Sequence, residues 1–409
     1  VVFHDFPGGG LDKHADFSEI ARPLDLAAYN NYPVWGGQRA PLPPHAIGFA
    51  LDYIRGLKRQ NFWITEEIMG AQGHDVTGYL PRPCQAKMWS WQAMAHGCEG
   101  MLYFRYRGAV KGAEQFCYGI LDADNVKGRK FREVQDFFRE VPQYEDALTA
   151  PIRSAVAIVY DFDSLASFRI QRQSAALDCV QEMQKLYAPL FDRNVPVDVI
   201  PSAAPLDGYR VVLLPQMILA KPDVQQRVQA FAAAGGTVVL TYRTAVKDGA
   251  NNLFFGQRLP VGYADFAGVQ VEETESLQEG DGFPLVGEGD FAGTAGQGGI
   301  FRDMLTAGPD TQVLFRYGDE FYQDYAAVTC RRHGQGWAYY IGCGLDAAAT
   351  ARLLERILAE QGIKTIPSDP GVEVVVRGGS LRMCINHNGH PAQAGETLLP
   401  AFGCKMERI

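Results

Sequence analysis

Short apolar runs alternate with helical stretches over the first 150 residues, and this alternation limits the possible folds more than any other feature. Val1–Pro7, Leu24–Pro33, Phe62–Glu67 and Met101–Arg107 have strand length and composition. Helical patterns at His45–Arg59, Gln85–His96 and Lys130–Ala147 lie between and after them. Repeated strand–helix alternation predicts a parallel sheet with helical crossovers. Each run ends in polar or aromatic residues: His4-Asp5, Asn30-Asn31-Tyr32, Glu66-Glu67 and Arg105-Tyr106-Arg107. The C-terminal ends of parallel strands are where such folds keep their active sites.

At 409 residues the chain exceeds one ordinary domain of roughly 100–200 residues, so two or three are expected. Pro151 marks a boundary. Beyond it Ala155–Tyr160, Val195–Ile200, Tyr209–Leu214 and Thr237–Thr241 read as strands, with helices Ala175–Arg193 and Pro222–Ala234 between them. Gly235-Gly236 closes the second helix. This predicts a second, doubly wound α/β domain, with Asp161 and Asp163 as turn and cap residues. A Gly-rich acidic insertion, Gly280–Gly299, holds few apolar groups and is expected to be a mobile loop. Strands return at Tyr325–Thr329 and Trp337–Gly342, followed by helix Ala347–Gln361. After Pro367, Val372–Arg377 and Leu381–Asn386 flank Gly378-Gly379-Ser380, a hairpin signal opening a small β domain.

Composition removes several functions. Lys plus Arg number 38 against 47 Asp plus Glu, a net charge of −9, and no basic run is present, which argues against nucleic acid and anionic membranes as partners. No apolar stretch reaches the ~18–20 residues of a transmembrane helix. The eight cysteines are scattered without a C-x-x-C pair, which reads as reduced thiols in a cytoplasmic protein with neither a metal site nor a cofactor. Val1 opens directly on a strand pattern, as expected for a piece of a longer protein.

Two segments carry candidate chemistry. In Phe62-Trp63-Ile64-Thr65-Glu66-Glu67, a carboxylate ends a buried strand, where it must be paired or functional. Adjacent strand residues point to opposite faces, so only one of Glu66 and Glu67 can face an active site, and alternation alone does not choose between them. Tyr103 to Arg107, followed by Gly112-Ala113-Glu114-Gln115, sets aromatic and guanidinium groups beside a carboxylate. That mixture suits a sugar site, or equally a strand-end ion pair between Glu114 and Arg105 or Arg107. Gly342-Cys343-Gly344 has the outline of a nucleophile elbow, although a buried thiol at a tight turn explains it more simply.

The stretch from Phe62 to Asp124 closely resembles the family 42 β-galactosidases of the glycoside hydrolases. The resemblance rests on Phe-Trp-Ile-Thr-Glu, Lys87 to Gly97, Tyr103-Phe104-Arg105 and Gly112-Ala113-Glu114-Gln115. It implies a TIM barrel, a doubly wound, amidotransferase-like trimerisation domain and a small β domain, in that order. The expected boundaries are 1–150, 151–366 and 367–409. By resemblance the chain is a retaining β-galactosidase acting on terminal β-galactosides and assembling as a homotrimer. Glu66 takes the place of the nucleophile ending barrel strand seven, and Glu67 the place of a usual glutamine. Glu114 takes the place of a glutamate that binds galactose hydroxyls. Tyr32, His74, Asp5 and Arg107 complete the expected sugar site. His74 stands where an indole is usual, Cys117 where a histidine is common, and Asn30 where an aspartate is usual.

Counted back from Glu66, Leu24–Tyr32 is strand six and Val1–Asp5 is strand five. The first 150 residues are therefore expected to be the C-terminal half of the barrel. The family's acid/base is the glutamate of an Asn-Glu pair ending strand four, and this chain contains no Asn-Glu dipeptide. A fragment inactive by itself is expected; the alternative is a noncatalytic sugar-binding or oligomerisation scaffold derived from the same family.

Overall fold

The computed structural model describes all residues except 9, 10, 12 and 320. It divides into two compact units, residues 1–153, 190–199 and 365–409 in one and residues 154–189 and 200–364 in the other.

In the first unit, strands β1 (Phe3–Phe6), β2 (Leu26–Asn31), β3 (Phe62–Ile68) and β4 (Cys98–Phe104) form one sheet in that spatial order. Every neighbouring pair is parallel. The crossovers are helices α1 (Phe17–Ala21), α2 (Pro44–Lys58) and α3 (Gln85–Ala95), with α4 (Arg129–Glu140) following β4. Each boundary has a local cause. Asp16 caps α1 by accepting from the Ser18 and Glu19 amides, and Pro44 opens α2, where a missing N–H costs nothing. The stretch expected as one helix from Lys130 to Ala147 breaks into α4, a 3-10 turn Val141–Tyr144 and a short helix Glu145–Leu148. Pro142 enters at that turn, where it cannot donate the helical hydrogen bond.

The helix-facing side of the sheet is dry: Phe62 and Ile64 are fully buried. The opposite face carries Phe3, 40 % exposed and packed on Trp63 at 5.4 Å, together with Leu102, 51 % exposed. Trp63 lies across its cross-strand partner Gly100, where a Cβ would sit 2.7 Å from the indole. Strands Val372–Arg377 and Leu381–Asn386 form the expected hairpin, joined on its far side by Cys404–Arg408.

A buried ionic network binds this unit together. Arg55 of α2 pairs with Asp52 and, at 2.6 Å, with Asp198, and donates to the carbonyls of His96 and Val197. His96 sits between Asp52 at 2.6 Å and Glu373 at 2.9 Å, and His387 meets the other oxygen of Glu373 at 3.0 Å. Burial would discharge His96, but Asp52 and Glu373 outweigh it and raise its pKa to about 9. Burial would likewise raise Glu373, but His96 and His387 hold it down at about 2.

In the second unit, Val156–Tyr160, Val211–Leu214, Thr237–Thr241 and Gly336–Ile341 run parallel in that order. The sheet continues antiparallel through Ala326–His333, Thr311–Tyr317, Gly282–Gly287 and Ala295–Ala307. Asp161 caps helix Phe162–Ile170, accepting from the Ser164 amide at 3.1 Å. The Gly-rich segment is not a loop. Its two strands pair antiparallel and bury Phe283 and Leu285. At Gly298 a Cβ would lie 2.1 Å from the Phe283 ring, so the glycine is what lets that ring lie flat on the strand. Ladder hydrogen bonds and two inward side chains order a segment whose composition alone predicts mobility.

Two outcomes follow. Gly298→Ala should destabilise the protein by about 1–3 kcal/mol in chemical denaturation, through overpacking against Phe283. His96→Phe strands buried carboxylates and should cost about 3–5 kcal/mol. Folded His96 holds its proton above its ordinary 6.5, so its contribution is complete below that pH and is lost as pH rises toward 9. Glu373 is depressed from 4.5, so its contribution is complete above that pH and is lost as pH falls toward 2. The difference between wild type and His96→Phe should therefore peak between pH 4.5 and 6.5.

Candidate active site

The C-terminal ends of β2, β3 and β4 meet at one rim, and an irregularity in β3 decides what β3 presents there. Against β2, Tyr29 pairs with Ile64 and the next residue, Asn30, with Glu66. Against β4, Met101 pairs with Ile64 and Tyr103 with Glu67. Both neighbours meet one extra residue in β3 after Ile64, a β-bulge. Plain alternation would carry Glu66 to the helix side with Phe62 and Ile64. The bulge inverts the parity.

Glu66 accordingly lies partly exposed at the rim, where the Tyr32 hydroxyl donates to its Oε2 at 2.5 Å. Burial, reinforced by that hydrogen bond and the adjacent carboxylate, drives the Tyr32 phenol well above its ordinary value, so it remains a donor. Glu67 turns to the helix side, fully buried, with Asn31 donating to its Oε2 at 2.9 Å. Side chains brace the bulge: Thr65 Oγ1 donates to Asn30 Oδ1 at 3.0 Å, and Asn30 Nδ2 donates to Asp5 Oδ2 at 3.4 Å.

From Tyr32 a line of contacts runs along the rim. The Tyr32 ring meets Trp35 edge-on at 4.8 Å, and Trp35 meets His74 edge-on at 5.5 Å. His74 Nε2 lies 4.0 Å from Glu114 Oε1, and Arg105 pairs with the other oxygen of Glu114. Cys117 is buried beneath this cluster, its thiol 3.8 Å from the Gly73 carbonyl. The structure thus brings together Asp5, Tyr32, Glu66, His74 and Glu114. Arg107 is exposed and bridges to Leu121 through its backbone, and among the described residues it makes no hydrogen bond or ion pair to that cluster. Sequence reasoning missed Trp35 and Thr65. Trp35 was legible as an aromatic three residues past a polar strand end, whereas nothing local marks Thr65 as a bulge.

Among the described residues, no group of three or more His, Cys, Asp or Glu side chains could hold a metal. No helix of the described chain is long and apolar enough to cross a membrane. Cys343 is buried in strand Cys343–Leu345, and burial, aided by Asp303 and Glu182, pushes its thiol far up, the opposite of an activated nucleophile.

The description "Beta-galactosidase" matches residues 2–144, and "Beta-galactosidase trimerisation domain" matches residues 154–364. The chain belongs to the family 42 β-galactosidases. Among family members, the β-galactosidase BgaA of Clostridium cellulovorans is 33 % identical over 377 residues, which cover 91 % of this chain and 55 % of that protein. The enzyme BglY of Alicyclobacillus acidocaldarius is 28 % identical over 369 residues, 87 % of this chain and 53 % of that protein. The chain spans little more than half the length of these relatives. The crystal structure of the β-galactosidase from Bacillus circulans sp. alkalophilus superposes with a TM-score of 0.91 at 27 % identity, covering 99 % of this chain and 63 % of that one. The family fold of TIM barrel and trimerisation domain therefore accounts for the chain.

The bulge generates a prediction. Deleting Thr65 removes the extra residue and leaves Glu66 directly after Ile64, where plain alternation keeps it on the rim and Glu67 on the helix side. The deletion should therefore lose little more than the Thr65–Asn30 hydrogen bond, about 1 kcal/mol in equilibrium unfolding. Thr65→Ala keeps the extra residue and loses one hydrogen bond, about 1 kcal/mol. A loss of several kcal/mol, about 3 or more, on deletion would mean that a carboxylate had been forced to the helix side, and would contradict the role given to the bulge.

Proposed function

We propose that this chain is the portion of a retaining β-galactosidase that carries the nucleophile, Glu66, and that the acid/base lies in a segment outside it. The observation that carries this reading is the placement of Glu66: turned by the bulge onto the strand-end rim, oriented by Tyr32, and on the same rim as Glu114. In this reading the four parallel strands are barrel strands five to eight. The exposed apolar face bearing Phe3, Trp63 and Leu102 is then the inner face that the other strands would cover.

Retaining hydrolysis uses two carboxyl groups ~5–5.5 Å apart. Glu66 attacks the anomeric carbon and forms a glycosyl-enzyme bond as the glycosidic oxygen departs with a proton from the second carboxyl. Water, deprotonated by that second group, then releases the sugar. Tyr32 donates to one oxygen of Glu66 and leaves the other for attack. Glu114 and His74 accept and donate to sugar hydroxyls, with Asp5 on the same rim and the exposed Arg107 beyond the cluster. None of the three nearby carboxyls suits the acid role: Glu67 faces the helix side, Glu114 is paired with Arg105, and Asp5 accepts from Asn30 at the edge strand. The proposed division is 1–150 for the barrel portion, 151–366 for homotrimer formation and 367–409 for a small β module. The eight free cysteines fit a cytoplasmic setting.

The purified chain should hydrolyse an aryl β-galactoside no faster than buffer, since general acid assistance is worth ~10²–10⁴ in rate and part of the pocket is elsewhere. Robust turnover by the 409-residue chain would overturn the division of the site. In the complete protein, Glu66→Gln should abolish turnover with the fold intact by circular dichroism. Light scattering at micromolar concentration should give a trimer; a monomer would count against the proposed assembly.

A further inference from the structure

Glu67 has no part in the reaction just described, yet it is fully buried at the C-terminal end of β3. Its Oε1 has no hydrogen-bond partner, and it makes no ion pair among the described residues. The groups facing it are Tyr29 and Asn31 from β2 and Cys98 and Tyr103 from β4. The Tyr103 hydroxyl in turn meets Ser90 Oγ of α3 at 2.9 Å, with Glu133 of α4 acting on it from beyond. None of these carries positive charge. An ionised carboxylate in such a setting is strongly disfavoured, whereas a neutral one has no charge to desolvate and keeps the hydrogen bond from Asn31. Burial pushes Glu67 up to about 8, with the Asn31 amide and the Ile68 N–H offsetting only part of it.

Its location gives this state a purpose. Glu67 is the first residue past the bulge to pair with β4, and it lies opposite Asn31 and Tyr103 in register. We propose that Glu67 is a positioning residue held as a neutral carboxylic acid, which locks β3 to Asn31 just beyond the bulge and so fixes Glu66 on the opposite face against Tyr32. The positioning role rests on Glu66 as the reacting carboxylate; the protonation state does not.

The test uses the 409-residue protein. The folded chain keeps a proton on Glu67 that the unfolded chain releases above 4.5, so this stabilisation is complete below pH 4.5 and is lost as pH rises through 8. The ratio of folding constants, wild type over Glu67→Gln, should fall by up to tenfold per pH unit across that window; a flat ratio overturns the proposal. Glu67→Ala should be less stable than Glu67→Gln at every pH, and equality would remove the locking role. Infrared spectra with 13C-labelled glutamate give a second reading on the wild type alone. A neutral-acid carbonyl band should be present at neutral pH, fade as pH passes 8, and be absent from Glu67→Gln. Only ionised carboxylate at neutral pH would overturn the proposal. The glutamate label excludes Asp303, another buried carboxyl raised by burial. Neither measurement involves hydrolysis, so the nucleophile assignment can fail separately.

Discussion

The buried charge network around Arg55 and His96 is the constraint on which the first unit depends. Charges are costly to bury, and they persist here because each finds an opposite partner with hydrogen-bond geometry. Arg55 binds two carboxylates and two carbonyls, and His96 joins Asp52 of α2 to Glu373 of the C-terminal hairpin. Arg377 adds to the same seam. Buried, it donates to the carbonyls of Met94 and Ala95 at the end of α3 and to those of Leu148 and Ala150. The last turn of a helix leaves carbonyls without partners, and a guanidinium satisfies several at once. Residues nearly three hundred positions apart are thereby fixed against one another, and the sheet that carries the rim is held from its helix side.

The rim itself is a second use of the same principle, with the opposite sign. Glu66 and Glu67 are adjacent and chemically identical, yet one is partly solvated beside a tyrosine hydroxyl and the other is sealed among phenols, a thiol and an amide. Environment alone sets Glu67 apart, since burial without a cation disfavours its charged form. A carboxylate that must react needs access and an orienting donor; one that must hold a strand in place is best kept neutral.

Much of this arrangement was legible beforehand. The four strands, the helices between them and the C-terminal hairpin follow from hydrophobic periodicity, which is a local property, whereas the order of the strands came from the family resemblance. Asp161 as a cap and Cys343 as a buried thiol were legible for the same reason. The Gly-rich segment was not, because its order comes from ladder pairing and from Phe283 lying over Gly298, contacts between positions that composition treats as independent. The His96 network was equally hidden, since its members are ordinary charged residues until the chain folds them together.

Residue order in Phe62 to Glu67 determined by itself that a strand would end in a pair of carboxylates at the rim of a parallel sheet. Motif resemblance favoured Glu66, but the pattern of the strand argued no preference. That choice belongs to the tertiary structure. A bulge exists only relative to the strands on either side, and it is their registers, Tyr29 to Ile64 and then Asn30 to Glu66, that admit the extra residue and turn Glu66 outward to Tyr32.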